Sequence, residues 1–136
     1  MKIDQDYLKG LLEAFEAAVN PTTDIKELSA AGFPYQTDEF VFHMRLLEDR
    51  GLIEGLGSAS GFGYTQTRAA YSWTVVPLRL TADGHDFIEA LKQKEVWQTI
   101  KTDFKDASLA TMVSAARSLA EGFAKKKVKD ITGIDL

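Results

Sequence analysis

The stretch TDEFVFHMRLLEDRGLIEG, from Thr37 to Gly55, decides the fold. Thr37 or Asp38 can cap a helix at its start, where acidic side chains also meet the positive end of the helix dipole. Gly51 is placed to end that helix, and the residues from Leu52 to Leu56 have the composition of a strand. The stretch therefore predicts a helix that passes through one glycine directly into a strand.

Two helices are predicted upstream of this stretch. Between residues 4 and 19 apolar side chains recur at helical spacing, and the pair Asn20-Pro21 ends the run. Residues 24–33 form a shorter helix candidate, which Gly32 and Pro34 stop. The apolar positions of the first helix are Leu8, Leu11, Leu12, Phe15 and Val19.

A hairpin is predicted downstream, beyond a tip rich in glycine and serine. In AYSWTVVPLRL, residues 70–80, Pro77 interrupts the alternation that Tyr71 and Trp73 begin. The apolar residues at 78 and 80 then resume in step with Val76 and not with Val75. A proline suits an edge strand or a bulge, so this pattern predicts the outer strand of a two-stranded wing.

Three more helical segments are predicted after the hairpin. Thr81 can cap TADGHDFIEAL, and KEVWQTIKTDFK places Trp97, Ile100 and Phe104 on one helical face. Ser108 can cap a long helix, whose basic end AKKKVKD is expected to fray. The apolar stripe of that helix comprises Leu109, Met112, Val113, Ala116, Leu119, Ala120 and Phe123.

This order of elements predicts a mainly α fold with a small β-hairpin. Residues 1–80 are expected to form a winged helix-turn-helix core, and residues 81–136 a C-terminal helical region. A chain of 136 residues is most economically one domain, so both parts are assigned to a single domain. An unrelated mixed α+β domain is the alternative topology.

The composition is that of an ordinary globular protein, with 45% hydrophobic and 26% charged residues. The absence of cysteine excludes disulfide frameworks, thiolate chemistry and cysteine-bearing zinc sites. The start, MKIDQDYLKG, places two aspartates where a signal peptide needs an apolar core, and no apolar run approaches the ~18 residues that span a membrane. A cytoplasmic protein is expected, and its net charge of -4 gives no general advantage for binding polyphosphate.

The helix within the opening stretch has an unusual outward face for a DNA reader. Winding residues 38–50 at about 100° per residue points Phe40, Met44 and Leu47 at the core, with His43 on their flank. Base-reading helices usually offer Arg, Lys, Asn, Gln or Ser on the opposite face, because these match base edges in the major groove. Here that face has one arginine, two aspartates and two large apolar groups, which disfavours tight DNA binding. Its members are Asp38, Phe42, Arg45, Leu46 and Asp49.

The apolar pair Phe42 and Leu46 on that face needs a cover, because exposed apolar strips usually mark contact surfaces. Three covers stay open: the C-terminal helical region of the same chain, a partner protein or second subunit, and DNA. Dimerisation through the alanine-rich helix from Leu109 to Phe123 is a further hypothesis, since small side chains permit close helix approach. If DNA is bound, the expected contacts are Gln36, Thr37, Phe42, Arg45 and Arg68.

The strongest basic cluster lies near the C-terminus. Arg117 and four lysines fall between residues 117 and 129, against the single acid Glu121. Two interpretations are open: a tail that grips phosphate, or side chains that solubilise a helix end and offset its dipole.

No catalytic or metal site is predicted. His85 and Glu89 stand four residues apart, but two ligands fall short of the three or four that a zinc site uses. His43 is expected to be a hydrogen-bonded packing residue. The glycine-rich GLGSASGFG, residues 55–63, lacks the Lys-Ser/Thr of a phosphate loop and leads to a strand. We therefore expect a non-enzymatic protein without a cofactor.

Four segments carry a resemblance to a known family. His43–Leu47 show a His-apolar-basic-Leu-Leu run, Gly51–Ile53 a Gly-Leu-Ile strand start, and Arg79–His85 an Arg-Leu-Thr-x-x-Gly-His segment, followed by Val96-Trp97. In these the sequence resembles the YjcQ-like family of small bacterial and phage proteins, domain of unknown function 2513. The likeness covers most of the chain and is weaker over residues 24–36 and the wing tip. It implies a winged-helix fold and no particular chemistry.

Two functions are compatible with these observations. The first is a bacterial or phage transcriptional regulator that binds DNA weakly or as a dimer. The second is a protein–protein interaction module that uses the same fold without DNA and anchors its partner on Phe42 and Leu46.

Overall fold

A computed structural model of the protein describes residues 1–56 and 61–133. It is built mainly from α-helices with short antiparallel strands, which confirms the predicted fold class. The chain divides into two compact units, Met1–His85 and Asp86–Leu136. The elements in chain order are α1 (Gln5–Glu16), α2 (Ile25–Ala30), α3 (Asp38–Asp49), β1 (Ile53–Gly55), β2 (Tyr64–Gln66), β3 (Tyr71–Trp73), β4 (Leu78–Leu80), α4 (Ala82–Lys92), α5 (Lys94–Asp103) and α6 (Leu109–Thr132).

The core of the N-terminal unit lies where α1 packs against α2 and β4, and where α3 packs against β1. The predicted apolar positions of α1 are buried, with the exception of Val19. That residue is 98% exposed, because α1 ends at Glu16 and the chain has left the helix before it reaches Asn20-Pro21. The predicted helix was therefore too long at its C-terminal end.

Local backbone chemistry fixes the bounds of α3. The Thr37 hydroxyl accepts a hydrogen bond from the Phe40 N–H at 3.1 Å, so Thr37 and not Asp38 is the cap. Gly51 follows the helix with a φ of 67°, the left-handed conformation that glycine adopts without strain. The predicted passage from helix through glycine into a strand is therefore confirmed.

The strands form two separate antiparallel pairs, where the sequence predicted one two-stranded wing. In the first pair Ile53 of β1 faces Leu80 of β4. In the second, Tyr64 of β2 faces Trp73 of β3. Thr23 adds an isolated bridge to β4, so the first pair is extended by the segment before α2. Most of the predicted glycine- and serine-rich tip, residues 57–60, lies outside the described residues.

The change of side predicted at Pro77 is confirmed. Val76, Leu78 and Leu80 are buried, whereas Val75 is 46% exposed. The Pro77 carbonyl accepts a hydrogen bond from the Leu56 N–H at 2.8 Å. This bond keeps the chain beside the end of β1 at the point where the alternation of buried and exposed side chains changes phase. As a result the apolar side chains of β4 face the core, and β3 pairs with β2 in a second hairpin.

In the C-terminal unit α5 packs on α6. Ile100 is buried as predicted, but its buried neighbour on α5 is Val96, while Trp97 and Phe104 are half-buried. On α6 the stripe is buried over its first half, at Leu109, Met112 and Ala116.

The basic end of α6 does not fray as predicted. The helix continues to Thr132, and every residue from Glu121 to Gly133 is exposed. Alanine and lysine are strong helix formers, which explains why the helix persists here without buried contacts.

No helix among the described residues is both long enough and apolar enough to cross a membrane.

Candidate binding groove

A groove of about 740 Å³ runs between the outward face of α3 and the hairpin of β2 and β3, within the N-terminal unit. We call it the α3 groove. It is lined by Met1, Gln36, Thr37, Asp38, Val41, Phe42, Arg45, Leu46, Asp49, Tyr64, Gln66, Tyr71 and Trp73.

One wall of the α3 groove is the helix face that the sequence turned away from the core. Because α3 buries Phe40, Met44 and Leu47 on one side, the helical period turns the residues between them outward. Phe42 and Leu46 are half-buried there. The apolar strip predicted on this helix is therefore real, and part of it remains accessible within the groove.

The other wall is an aromatic row on the hairpin. Tyr64 and Trp73 are cross-strand partners, and so are Gln66 and Tyr71. Alternate residues of a strand share a face, so all four project to the same side. The ring centroids of Tyr64 and Trp73 are 4.8 Å apart, and those of Tyr64 and Tyr71 are 6.1 Å apart and nearly parallel. Tyr71 is 69% exposed, which leaves one end of the row open to solvent.

Buried aromatic contacts attach this hairpin to α3. Phe62 is buried and lies 6.4 Å from the Phe40 ring, which belongs to the core face of α3. Trp73 lies 6.1 Å from the same ring and 5.0 Å from Tyr35. At the base of the hairpin the Gly63 carbonyl accepts a hydrogen bond from the Thr74 N–H at 2.8 Å. The hairpin is therefore held against α3 at its base.

A cation crosses the α3 groove. The Arg45 guanidinium lies over the Tyr64 ring, 5.2 Å from its centroid, a distance within the range of cation–π contacts. Arg45, one of the expected DNA contacts, is thus in contact with the hairpin.

The charges along the groove are mixed. Asp38 and Asp49 stand against Arg45, so the lining side chains carry an excess of one negative charge. Just behind this face, burial raises the pKa of the Glu48 carboxyl, and the Asp49 carboxylate raises it further. This side of α3 is therefore a poor surface for additional negative charge.

Beneath the N-terminal end of α3, His43 is a packing residue, as predicted. Its ring is buried, with Nδ1 at 2.7 Å from the Glu39 carbonyl and Nε2 at 3.0 Å from the Asp4 N–H. The Asp4 N–H donates to Nε2, so the ring is neutral and its proton sits on Nδ1, donated to the carbonyl. Tyr7 packs on the same ring at 4.7 Å. Both ring nitrogens are occupied, so His43 is not available as a base or a ligand.

Tyr7 carries an unusual hydroxyl. Its oxygen is buried and makes no hydrogen bond of acceptable geometry. Burial raises the pKa of this hydroxyl, the nearby Thr37 side chain lowers it, and Glu39 raises it. The Thr37 hydroxyl itself donates to the Pro34 carbonyl at 3.0 Å and caps α3, so its bonding is directed elsewhere.

The structure brings together four of the five predicted DNA contacts. Gln36, Thr37, Phe42 and Arg45 all line the α3 groove, together with the predicted partner anchor Leu46. Arg68 does not: it is exposed on the turn between β2 and β3. The helix from Leu109 to Phe123 belongs to the other unit.

The sequence did not identify Gln66, Tyr71 and Trp73 as groove residues. The alternation of Tyr71 and Trp73 was noted, but it does not show which element their shared face meets, and the strand that holds Gln66 was not predicted. Among the described residues, no group of three or more His, Asp or Glu side chains is placed to hold a metal ion.

The comparisons with known proteins identify a family. The family model described as "Hypothetical protein (DUF2513)" matches residues 2–110, which include both walls of the α3 groove. The chain belongs to the DUF2513 family. An uncharacterized protein of Haemophilus influenzae is 24% identical over 121 residues, which cover 89% of this chain and 93% of that protein. No solved structure matches.

Arg79 to His85, one of the four segments that carry the family resemblance, has structural roles in this member of DUF2513. Arg79 forms an ion pair with Glu54 across the β1–β4 pair at 2.6 Å. The Thr81 hydroxyl donates to the Gly51 carbonyl at 2.5 Å and accepts from the Gly84 N–H at 3.1 Å. These bonds join the end of α3 to the start of α4. Through these contacts the segment helps to hold the fold together.

Proposed function

We propose that this DUF2513 protein is a winged-helix interaction module without catalytic activity, and that its α3 groove binds an extended or helical segment of a partner protein. The observation that carries the proposal is the Arg45–Tyr64 contact. A recognition helix reads DNA when its outward face can enter the major groove. Here that face forms one wall of a groove whose other wall is aromatic.

The lining chemistry supports a protein segment as the occupant. Half-buried Phe42 and Leu46 face a row that includes Trp73 and Tyr71. Aromatic residues in partly enclosed pockets supply most of the energy at protein interfaces. An aliphatic or aromatic side chain inserted between the two walls would complete this cluster.

The charges favour a basic residue beside that apolar anchor. Asp38 and Asp49 lie on the helix wall, while Arg45 is turned toward Tyr64. A lysine or arginine on the partner can pair with the carboxylates on this wall. The same carboxylates would repel the phosphate backbone of a nucleic acid.

The composition of the groove lining also favours binding over catalysis. Neither histidine nor cysteine is among the lining residues, and the Thr37 hydroxyl is committed to the helix cap. Paired acid–base catalysis needs a group that can exchange protons near neutral pH beside the reacting atoms. The two lining carboxylates, Asp38 and Asp49, lie at opposite ends of α3, about three helical turns apart, so they are too distant to act as a pair on one bond.

A second candidate, a DNA-binding regulator, is favoured by one observation. Gln36, Thr37 and Arg45 share a single surface, and Arg68 extends from the adjoining hairpin turn. These residue types contact bases and phosphates. Binding through so few cations would be weak, or would need two copies of the chain.

A selection experiment tests the first proposal. A phage-displayed library of random peptides is panned on the full chain, and the enriched peptides are titrated while Trp73 fluorescence is followed in a Trp97→Phe background. We expect enriched peptides to combine one or two large apolar residues with a nearby lysine or arginine. Leu46→Asp should weaken their binding at least about tenfold, because it places a charge among the apolar lining.

Matched variants separate the two candidates. Arg68→Ala, on the turn outside the groove, should leave peptide binding unchanged. In parallel, anisotropy of a generic duplex DNA is measured across a salt series for the wild type and Arg45→Ala. If DNA binds with a steep salt dependence that Arg45→Ala reduces, and no peptide distinguishes the wild type from Leu46→Asp, the regulator replaces the interaction module.

A further inference from the structure

The C-terminal half of α6 offers side chains of the kind that the α3 groove accepts. From Glu121 to Thr132 this helix is exposed on every side. Phe123, Val128 and Ile131 lie within about 140° of its circumference at about 100° per residue, and Ile131 is 73% exposed. A helix that carries its apolar anchors on one side is a common guest of hydrophobic grooves.

The charges of the two parts are complementary. Residues 1–85 carry twelve acidic against seven basic side chains, whereas residues 121–132 carry four lysines against Glu121 and Asp130. Three of the lysines are consecutive, from Lys125 to Lys127, and all three are exposed. This segment combines apolar and basic side chains, the combination that the groove favours, and every copy of the protein carries it.

A reciprocal exchange between two copies reaches the size of a stable interface. Thirteen residues line the α3 groove, and α6 adds twelve from Glu121 to Thr132. In a twofold dimer each molecule contributes its groove and the half of the helix segment that faces the partner, about 20 residues, at the lower end of the roughly 20–30 residues a side of a standard interface. A single groove with a single helix would fall well short of that.

We infer that the protein forms a twofold dimer in which the α3 groove of each molecule holds the C-terminal half of α6 from the other. This inference rests on the proposed function, because it names a second copy as the partner of the groove. Phe123 and Ile131 supply the apolar anchors, and Lys127, which shares their face of the helix at about 100° per residue, meets Asp38 and Asp49 while Lys125 and Lys126 add positive charge on either side.

Sedimentation equilibrium on the full chain tests the dimer. Protein concentrations between about 5 and 100 µM are used, because interfaces of moderate size have dissociation constants in the micromolar range. The expected mass is twice the 15.1 kDa of one chain. Two charge reversals are then made separately: Asp49→Lys in the groove, and the triple change of Lys125, Lys126 and Lys127 to Glu in α6. Each should raise the dimer Kd at least about tenfold, because like charges face each other at both contacts.

Mixing the two variants gives the decisive result. In the mixed dimer the lysine at position 49 meets the glutamates of its partner, and the wild-type groove meets the wild-type lysines. Both contacts are again complementary, so the equimolar mixture should regain dimer that neither variant forms alone. Asp106→Lys, an equal charge change on an exposed loop, is the matched control and should not alter the mass.

Three results overturn the inference: a 15.1 kDa monomer at 100 µM, a dimer that resists both reversals, or two weakened variants whose mixture stays monomeric. The proposed function fails separately. If the chain is monomeric but selected peptides still bind and are lost in Leu46→Asp, the groove binds a foreign partner. If the reversals behave as expected while no foreign peptide binds, the groove serves self-association.

Discussion

The Arg45 guanidinium and the Tyr64 ring meet at 5.2 Å across the α3 groove, joining a helix to a hairpin that follows it in the chain. Arg45 lies on the outward face of α3, and Tyr64 is opposite Trp73 in the hairpin. The contact therefore links one residue from each wall of the groove. The contact also turns Arg45, the single arginine of α3 and one of the expected DNA contacts, toward the hairpin.

Arg45→Ala should loosen the hairpin without unfolding the domain. A partly exposed cation–π contact stabilises by about 0.5–1 kcal/mol, so the free energy of unfolding in urea should fall by about that amount. Amide hydrogen exchange at β2 and β3 should accelerate, while exchange in α1 should not change. Arg50→Ala, at the exposed end of α3, is the control. Equal exchange rates in wild type and Arg45→Ala would show that Phe62 and Trp73 alone hold the hairpin.

Gly84 should be irreplaceable for a steric reason. A Cβ at this position collides with the Leu52 carbonyl oxygen and presses on the Leu80 side chain. Gly84→Ala forces α4 away from β1 and should cost about 1–3 kcal/mol in denaturant unfolding, the usual range for overpacking. Gly122→Ala is the matched control, because a Cβ there meets nothing within 4 Å. It should stabilise α6 by about 0.5–1 kcal/mol through helix propensity. A neutral Gly84→Ala would mean that α4 can shift without loss.

The sequence predicted the helices well because their signals are local. Thr37 and Gly51 mark the two ends of α3, and both do so through bonds or dihedral angles within a few residues. The misses have local causes too: α1 ends before the proline that was expected to stop it, and the end of α6 is rich in alanine and lysine, which favour a helix.

The sequence predicted only one wall of the groove, because the position of the second wall depends on contacts between residues that are distant in the chain. The outward face of α3 follows from helical period, so Phe42, Arg45 and Leu46 could be named in advance. Trp73 enters the groove through its register with Tyr64 and through contact with Phe40. Neither the register nor the way the hairpin packs on α3 is written in a short stretch of sequence.

Tyr7→Phe should stabilise the protein. The Tyr7 hydroxyl is buried without a hydrogen bond of acceptable geometry, so removing it relieves a desolvation cost while the ring keeps its contacts with Phe33 and His43. A gain of about 1 kcal/mol in the free energy of unfolding is expected. Tyr35→Phe, another half-buried tyrosine of this unit, should give no comparable gain. A loss on Tyr7→Phe would reveal that the hydroxyl bonds to Thr37 in solution.

Glu48→Gln should stabilise the protein in a pH-dependent way. Burial, with the neighbouring Asp49, raises the pKa of the Glu48 carboxyl in the folded protein. A raised pKa means that the folded state holds this proton more tightly than the unfolded chain does. The stability linked to the group is therefore complete below the unfolded pKa of about 4.3, and it is lost as pH rises through the folded value.

Glutamine mimics the protonated form at every pH. The variant and the wild type should consequently have similar melting temperatures near pH 4, and the variant should melt higher at pH 7. Asp49→Asn tests the second cause, because it removes the neighbouring charge and should recover part of the same gain at pH 7 and none near pH 4 through Glu48. A difference between Glu48→Gln and wild type that is constant from pH 4 to pH 8 would contradict the assignment, since only titration of Glu48 makes it vary.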